Sequence, residues 1–397
     1  MRRMLSCAVA GVMVLAFPAG AVAATADSPA ATAVQGGLNA VSCTSQGACT
    51  AVGSYVSAAG TVALAEGWNG TAWKVQSTPD PAGGSDDTLS GVSCGAAGAC
   101  LAVGGYYSGD GDSPLAETWN GTTWALQSVP LPTGALAGYL TGVSCTSASA
   151  CTAVGYYANS GNANVALAES WNGASFTIQK FSPPASATLS TLDAVSCGPA
   201  PGTGCEAVGW YYLPGALIAR TLAESWSGTK WSIQPTPRPK GAQAGSYPGG
   251  VSCGAAAACA SVGLGNNSAG HDVSWAQGWN GTSWVNQTVP KPQGEVAAIL
   301  SAVSCDAAPS NVCTAVGYYS NGTAFVNYAA GWNGTKWALQ RTPEPAGSTA
   351  GDLAGVSCSS PGACTAVGSV TNSSGVPVTL AEGWNGTKWS VQRTPVP

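Results

Sequence analysis

Charge is scarce in this chain: Asp, Glu, Lys and Arg make up 8% of 397 residues, and the net charge is −5. Thirteen basic residues spread over that length leave no positive stripe to neutralise a phosphate backbone, which excludes nucleic acid as a partner. One histidine in the whole chain cannot complete the clustered Cys/His sets that hold zinc, so no metal or other cofactor is expected. Long hydrophobic runs are missing beyond the N-terminus. The apolar residues come in strand-length groups, far short of the ~20 a spanning helix needs, so the mature chain should not cross a membrane. A 3.6-residue apolar period is missing too, which argues against helices.

What is present begins with an export signal. Met1-Arg2-Arg3 is positive, Met4 to Leu15 is mostly apolar, and Ala21-Val22-Ala23 supplies a small-x-small cleavage pattern. Residues 1–23 therefore read as a signal peptide and 24–37 as a flexible leader. The remainder should be secreted into an oxidising, extracellular setting.

Beyond the leader one phrase recurs. "Val-Ser-Cys" stands at Cys43, Cys94, Cys145, Cys197, Cys253, Cys305 and Cys358, at intervals of 51 to 56 residues. Each unit continues with a second Cys, "Ala-Val-Gly", a run such as "TLAE", then Trp-Asn-Gly-Thr-x-Trp, a Gln and Pro-x-Pro. These are four strand-like runs bounded by Gly, Asn and Pro. Four strands in each of seven repeats predict an all-β fold, a seven-bladed β-propeller with four antiparallel strands (A to D) per blade. Blade limits fall near 38–81, 89–132, 140–184, 192–239, 248–292, 300–345 and 353–397. Proline after each D strand blunts an exposed edge. In this frame no N-terminal strand completes the last blade, so closure rests on packing of blade 7 against blade 1, or else the frame is shifted by one strand. The Asn-Gly between aromatics predicts a type I′ hairpin joining C to D.

Fourteen cysteines fall two per unit: Cys43/Cys49, Cys94/Cys100, Cys145/Cys151, Cys197/Cys205, Cys253/Cys259, Cys305/Cys313 and Cys358/Cys364. Export and the short spacing predict one disulfide per blade across the A–B connection. Other recurrent residues read as structure before chemistry. The Trp pairs (Trp68/Trp73 and its counterparts, Trp171/Phe176 in blade 3) should pack between blades. Glu66, Glu117, Glu169, Glu224 and Glu382 share one strand-C position, with Gln277 and Ala330 in blades 5 and 6. Paired carboxylates can hydrolyse glycosides, but one Glu per blade is expected to meet the D-strand Gln (Gln76, Gln127, Gln179, Gln234, Gln287, Gln340, Gln392) or a backbone amide. His271-Asp272 lacks a nucleophile elbow, and Asp110 with Asp112 falls short of a calcium loop.

Function on a repeated scaffold should sit where the repeats differ. The B–C loops and D–A connectors share one face, vary in content, and carry aromatics after "AVG": Tyr106, Tyr107, Tyr156, Tyr157, Trp210, Tyr211, Tyr212, Tyr318 and Tyr319. These are the candidate ligand-binding residues, since rings at a loop mouth can stack on sugars or anchor a protein. The hairpin "EGWNGTAW" resembles the Asp-box turn of sialidase-type propellers: Gly70 and Trp73 match, Thr71 comes one place early, and Trp68 and Glu66 stand at the Asp and Ser positions. The chain is also similar to secreted bacterial proteins built of WNGTxW repeats. Sialidase activity does not carry over, because the arginines of the mature chain are only Arg220, Arg238, Arg341 and Arg393, in strand C or beside D strands. The reading is a secreted, non-enzymatic, monomeric binding scaffold for an extracellular glycan, cell-wall polymer or protein. A propeller glycoside hydrolase or lyase is the alternative.

Overall fold

The computed structural model describes residues 34–109, 111–198, 204–255, 258–306 and 311–397. The signal peptide, most of the leader and Asp110 lie outside them. Among the described residues, 28 strands form seven four-stranded sheets and there is no helix. The A strands are Gly36–Ser45, Ser85–Ala96, Ala137–Ser147, Leu189–Cys197, Ser246–Ala255, Ala297–Cys305 and Ala350–Ser360. The B strands are Ala48–Ser57, Ala99–Tyr107, Ala150–Ala158, Cys205–Tyr212, Ala258–Asn266, Cys313–Ser320 and Ala363–Thr371. The C strands are Gly60–Trp68, Asp112–Trp119, Asn164–Trp171, Arg220–Trp226, Asp272–Trp279, Phe325–Trp332 and Pro377–Trp384. Short D strands close each sheet: Trp73–Gln76, Trp124–Leu126, Phe176–Ile178, Trp231–Ile233, Trp284–Gln287, Trp337–Gln340 and Trp389–Gln392. Every sheet takes four consecutive strands in the order A-B-C-D, paired antiparallel.

Each blade is covered on both faces, so strands B and C read as nearly unbroken runs of small apolar residues rather than alternating ones. Ala51, Val52, Leu64 and Ala65 are all but inaccessible to solvent. They belong to clusters that each span two neighbouring blades. The last such cluster joins Val367 and Ala381 of blade 7 to Leu38, Val41, Leu64 and Trp73 of blade 1. The ring therefore closes by face packing, with no strand exchanged. Of the two frames the sequence allows, the unshifted one is found.

One closed ring of hydrogen bonds runs round the molecule, and a second series spans six of the seven seams. The Ser of every "Val-Ser-Cys" accepts from the backbone N–H of the next blade's first cysteine. Examples are Cys94 N to Ser42 Oγ at 3.0 Å and, across the closing seam, Cys43 N to Ser357 Oγ at 3.0 Å. All seven seams carry this bond. Further out, the D-strand Gln accepts from the indole N–H of the next blade's D-strand Trp: Trp124 to Gln76, Trp231 to Gln179, Trp284 to Gln234, Trp337 to Gln287, Trp389 to Gln340, and Trp73 to Gln392 over the closing seam, at 2.7–3.1 Å. In these six blades Gln is thus committed to a tryptophan, not to the strand-C Glu that the sequence offered as one partner.

All seven predicted disulfides are formed, between cysteines directly opposed in the A–B ladder with Cα–Cα distances of 3.9–4.0 Å. They are Cys43–Cys49, Cys94–Cys100, Cys145–Cys151, Cys197–Cys205, Cys253–Cys259, Cys305–Cys313 and Cys358–Cys364. The A–B connections of blades 4, 5 and 6 lie partly outside the described residues, at 199–203, 256–257 and 307–310. Their bridges are among the described residues all the same. Cys259 pairs with Cys253 in the ladder and is buried with Val208, Ala223, Val251 and Trp284 in the seam between blades 4 and 5.

The C–D hairpin differs from the type I′ turn expected. Trp68 pairs with Trp73, leaving four loop residues, of which only Gly70 has positive φ (92°). Asn69 Oδ1 instead accepts from the N–H groups of Thr71 and Ala72 (3.0 Å each) and from the Thr71 hydroxyl (2.8 Å). The motif is an Asx turn, which explains why Thr follows Asn-Gly.

Candidate functional site

Each A strand carries a bulge opposite the "AVG" glycine, in the outer half near the mouth of the ring. The extra residue is Asn39, Ser90, Thr141, Asp193, Gly249, Ser301 or Ala354 in turn. The facing glycine is required: a Cβ on Gly53 would fall on the Gly37 carbonyl oxygen, and Gly155 and Gly317 are blocked alike. The bulge bends the strand and re-aims side chains at the rim.

The strand-B aromatics that follow this glycine divide in two. Tyr106, Tyr157, Tyr211 and Tyr319 pack against the clusters between blades. Tyr156, Trp210, Tyr212 and Tyr318 are half-buried on the alternate positions, and Tyr107 is 46% exposed, its hydroxyl donating to Gly109 O. Apart from Tyr107, this second group gathers with rings from strands A and C. Tyr156 stacks on Tyr139 with centroids 6.1 Å apart and planes 12° apart, and the Tyr139 hydroxyl shares a 2.8 Å bond with Ser90 Oγ. Trp210 meets Tyr212 and Tyr247 edge-on, both at 5.5 Å, and the Tyr212 and Tyr247 hydroxyls lie 3.1 Å apart. Tyr318 lies edge-on to Phe325 at 5.4 Å. An arc of rings thus runs over blades 3 to 6. Tyr139 and Tyr247 do not follow "AVG", so the motif does not point to them. Their signal is a bulky ring where Gly37 and Thr88 stand in blades 1 and 2.

Carboxylates accompany the arc. Burial, and then the charges of Asp112, Tyr139 and Asp193, push the Tyr156 phenol up to about 12. Burial raises Asp193 to about 7 despite a 3.2 Å bond from Thr191 Oγ1. Asp352 accepts from Ser369 Oγ at 2.6 Å and Asp272 from Asn266 Nδ2 at 2.7 Å; both are raised, chiefly by burial. Exposed His271 places its backbone N–H on Asn267 Oδ1. Its neighbour Asp272 is held by Asn266, so the pair forms no triad.

The strand-C glutamates are sealed inside the blade seams. Glu66, Glu117, Glu169, Glu224 and Glu382 are 0–1% exposed, out of reach of any polysaccharide. Both oxygens of Glu66, Glu117 and Glu169 lack a hydrogen-bond donor. Burial pushes all five up to about 8, so they are uncharged at neutral pH. The units that lack Glu show what the position requires. Gln277 Nε2 donates to Pro237 O at 2.7 Å; beside Ala330, the Tyr328 hydroxyl donates to Pro290 O at 2.7 Å. Both carbonyls belong to the Pro-x-Pro segment of the preceding blade. A neutral carboxyl carries an O–H that can serve the same carbonyl.

No family model and no curated protein matches the chain. Solved structures do. It is similar to an ulvan lyase of a new polysaccharide lyase family (TM-score 0.56, 11% identity, 90% of this chain and 96% of that one). It is similar as well to the β-propeller domain of the Trilobed protease from Pyrococcus furiosus, described as having an open velcro topology (TM-score 0.52, 7% identity, 90% and 97%). The likeness is to β-propellers. A more distant match is the Aleuria aurantia lectin in complex with α-methyl-L-fucoside (TM-score 0.45, 11% identity, 92% and 96%). At such identities the shared property is the fold.

Proposed function

We propose that this chain is a secreted, non-enzymatic binding protein whose ligand, a glycan or cell-wall polymer, docks on the B–C and D–A loop face. The observation that carries this reading is the arc of rings over blades 3 to 6, with Trp210 wedged between Tyr212 and Tyr247. Rings held by edge-on contacts lose little entropy on binding, and their apolar faces suit the C–H faces of sugars. Asp193, Asp272 and Asp352 nearby offer polar partners for sugar hydroxyls. Sealed glutamates weigh against the hydrolase alternative. Seven disulfides accord with an oxidising, extracellular location.

The test is binding of residues 24–397 to insoluble cell-wall polysaccharide and to a glycan array. Wild type should bind, and Trp210→Ala combined with Tyr156→Ala should weaken binding at least tenfold with the thermal midpoint little changed. Silence of the wild type on both, or capture of a protein partner alone, overturns the glycan reading.

A further inference from the structure

Six seams are sealed by the same indole–amide bond, and the seam between blades 2 and 3 is not. Phe176 stands where the other blades place a tryptophan and has no N–H to give. Gln127 accordingly turns back into its own blade, its Nε2 donating to Thr118 Oγ1 at 2.9 Å and Ala125 O at 3.3 Å. Thr118 stands at a position that holds Ser170 and Ser225 in blades 3 and 4 and glycine elsewhere. Blades 1, 5, 6 and 7 have Gly67, Gly278, Gly331 and Gly383 there, each lying so close under the glutamine amide that a Cβ would meet it. Leu101 is a second departure, replacing the threonine (Thr50, Thr152, Thr314, Thr365) whose hydroxyl reaches a cysteine of the next blade. Glu206, facing the blade of Cys259, and Ala260 depart at the same place, but their seams keep the indole–amide bond. Trp171, finally, is 5% exposed, whereas Trp68, Trp119 and Trp226 in the same place are half-buried.

These changes converge on one groove of about 260 Å³ lined by Leu101, Thr118, Trp119, Asn120, Gln127 and Trp171 among others. The matching groove between blades 7 and 1, where Trp73 holds Gln392, measures about 130 Å³. The larger groove opens among the A–B and C–D turns, on the opposite end of the ring from the aromatic mouth. We propose that the groove between blades 2 and 3 is a second ligand site, taking a single neutral pyranose residue stacked on Trp119; for the class of ligand it rests on the proposed function. Its volume lies just under the ~300 Å³ at which sites for drug-sized ligands begin, which suits one ring. The half-buried indole offers an apolar platform. Gln127, Thr118 and Asn120 bring amide and hydroxyl groups to the ring's edge, and no charged side chain lines the groove.

The experiment is saturation-transfer NMR on residues 24–397 carrying Trp210→Ala and Tyr156→Ala, which silence the mouth, with the methyl pyranosides of glucose, galactose, mannose and N-acetylglucosamine at millimolar concentration. At least one should receive saturation, and Trp119→Ala should weaken it tenfold or more. The decisive variant is Phe176→Trp with Thr118→Gly, which restores the repeat. The introduced indole should bond Gln127, raise the thermal midpoint and abolish transfer, so the loss cannot be ascribed to unfolding. Absence of transfer from all four sugars, or transfer that survives the restored seam, overturns the groove site. Transfer seen with the native mouth but lost in the Trp210→Ala, Tyr156→Ala background overturns it too, while leaving the mouth in place.

Discussion

The residues that repeat most faithfully act across blade boundaries, and this sets what their substitution does. Five neutral glutamates have folded-state values near 8 against an ordinary 4.5. A carboxyl raised on folding contributes stability that is complete below its unfolded value. That stability is lost as pH rises towards the folded one. The thermal midpoint should therefore be highest near pH 4.5 and fall steadily up to about pH 8. Glu66→Gln, copying Gln277, should raise the midpoint at pH 8 by about 2 °C or more and leave it unchanged at pH 4.5. Calorimetry at the two pH values checks this, and an equal shift at both would contradict a neutral carboxyl. None of this was legible beforehand. A glutamate near a glutamine in sequence invites a local pair, whereas the serine and glutamine bonds join residues about fifty positions apart and leave no local pattern.

Strands and turns were far more readable, because their signals are local. Gly, Asn and Pro mark the boundaries of each run, and paired cysteines bracket one connection. Strand order and disulfide pairing, Cys253 with Cys259 included, follow from those marks. The C–D turn was misjudged because Asn-Gly has two uses: both residues can take positive φ, or, as here, Asn69 can spend its side chain on the loop while Gly70 alone turns left-handed. The disulfides each close a loop of six to eight positions. Replacing Cys43 and Cys49 together by alanine should cost about 2 kcal/mol in denaturant unfolding, whichever blade is chosen. A loss twice that size at one blade would mean its bridge holds more than its own hairpin.

At the scale of the whole ring, the seam between last and first blades is chemically like the five other seams that carry the indole–amide bond. Trp73 to Gln392 spans it as Trp231 to Gln179 spans an interior seam, both at 2.9 Å. Trp73→Phe and Trp231→Phe should therefore cost similar amounts, about 1 kcal/mol each, since both strand a half-buried amide oxygen. A much larger loss at Trp73 would mark the seam as the weak point of the closed form. Seven equal units predicted the ring, but the mouth was only half visible. Tyr106 and Tyr156 follow the same glycine motif, and strand B sends alternate residues to opposite faces, so motif position alone could not separate packing rings from displayed ones.

Because each sheet is made from one uninterrupted stretch of chain, the gene can be cut between units without severing any sheet. Recombination that deletes or duplicates one copy would yield a protein with an altered number of intact cassettes, each bringing its own serine acceptor and glutamine acceptor for the next. Diversification in this architecture can thus proceed by copy number first and by local divergence, as at Phe176, afterwards.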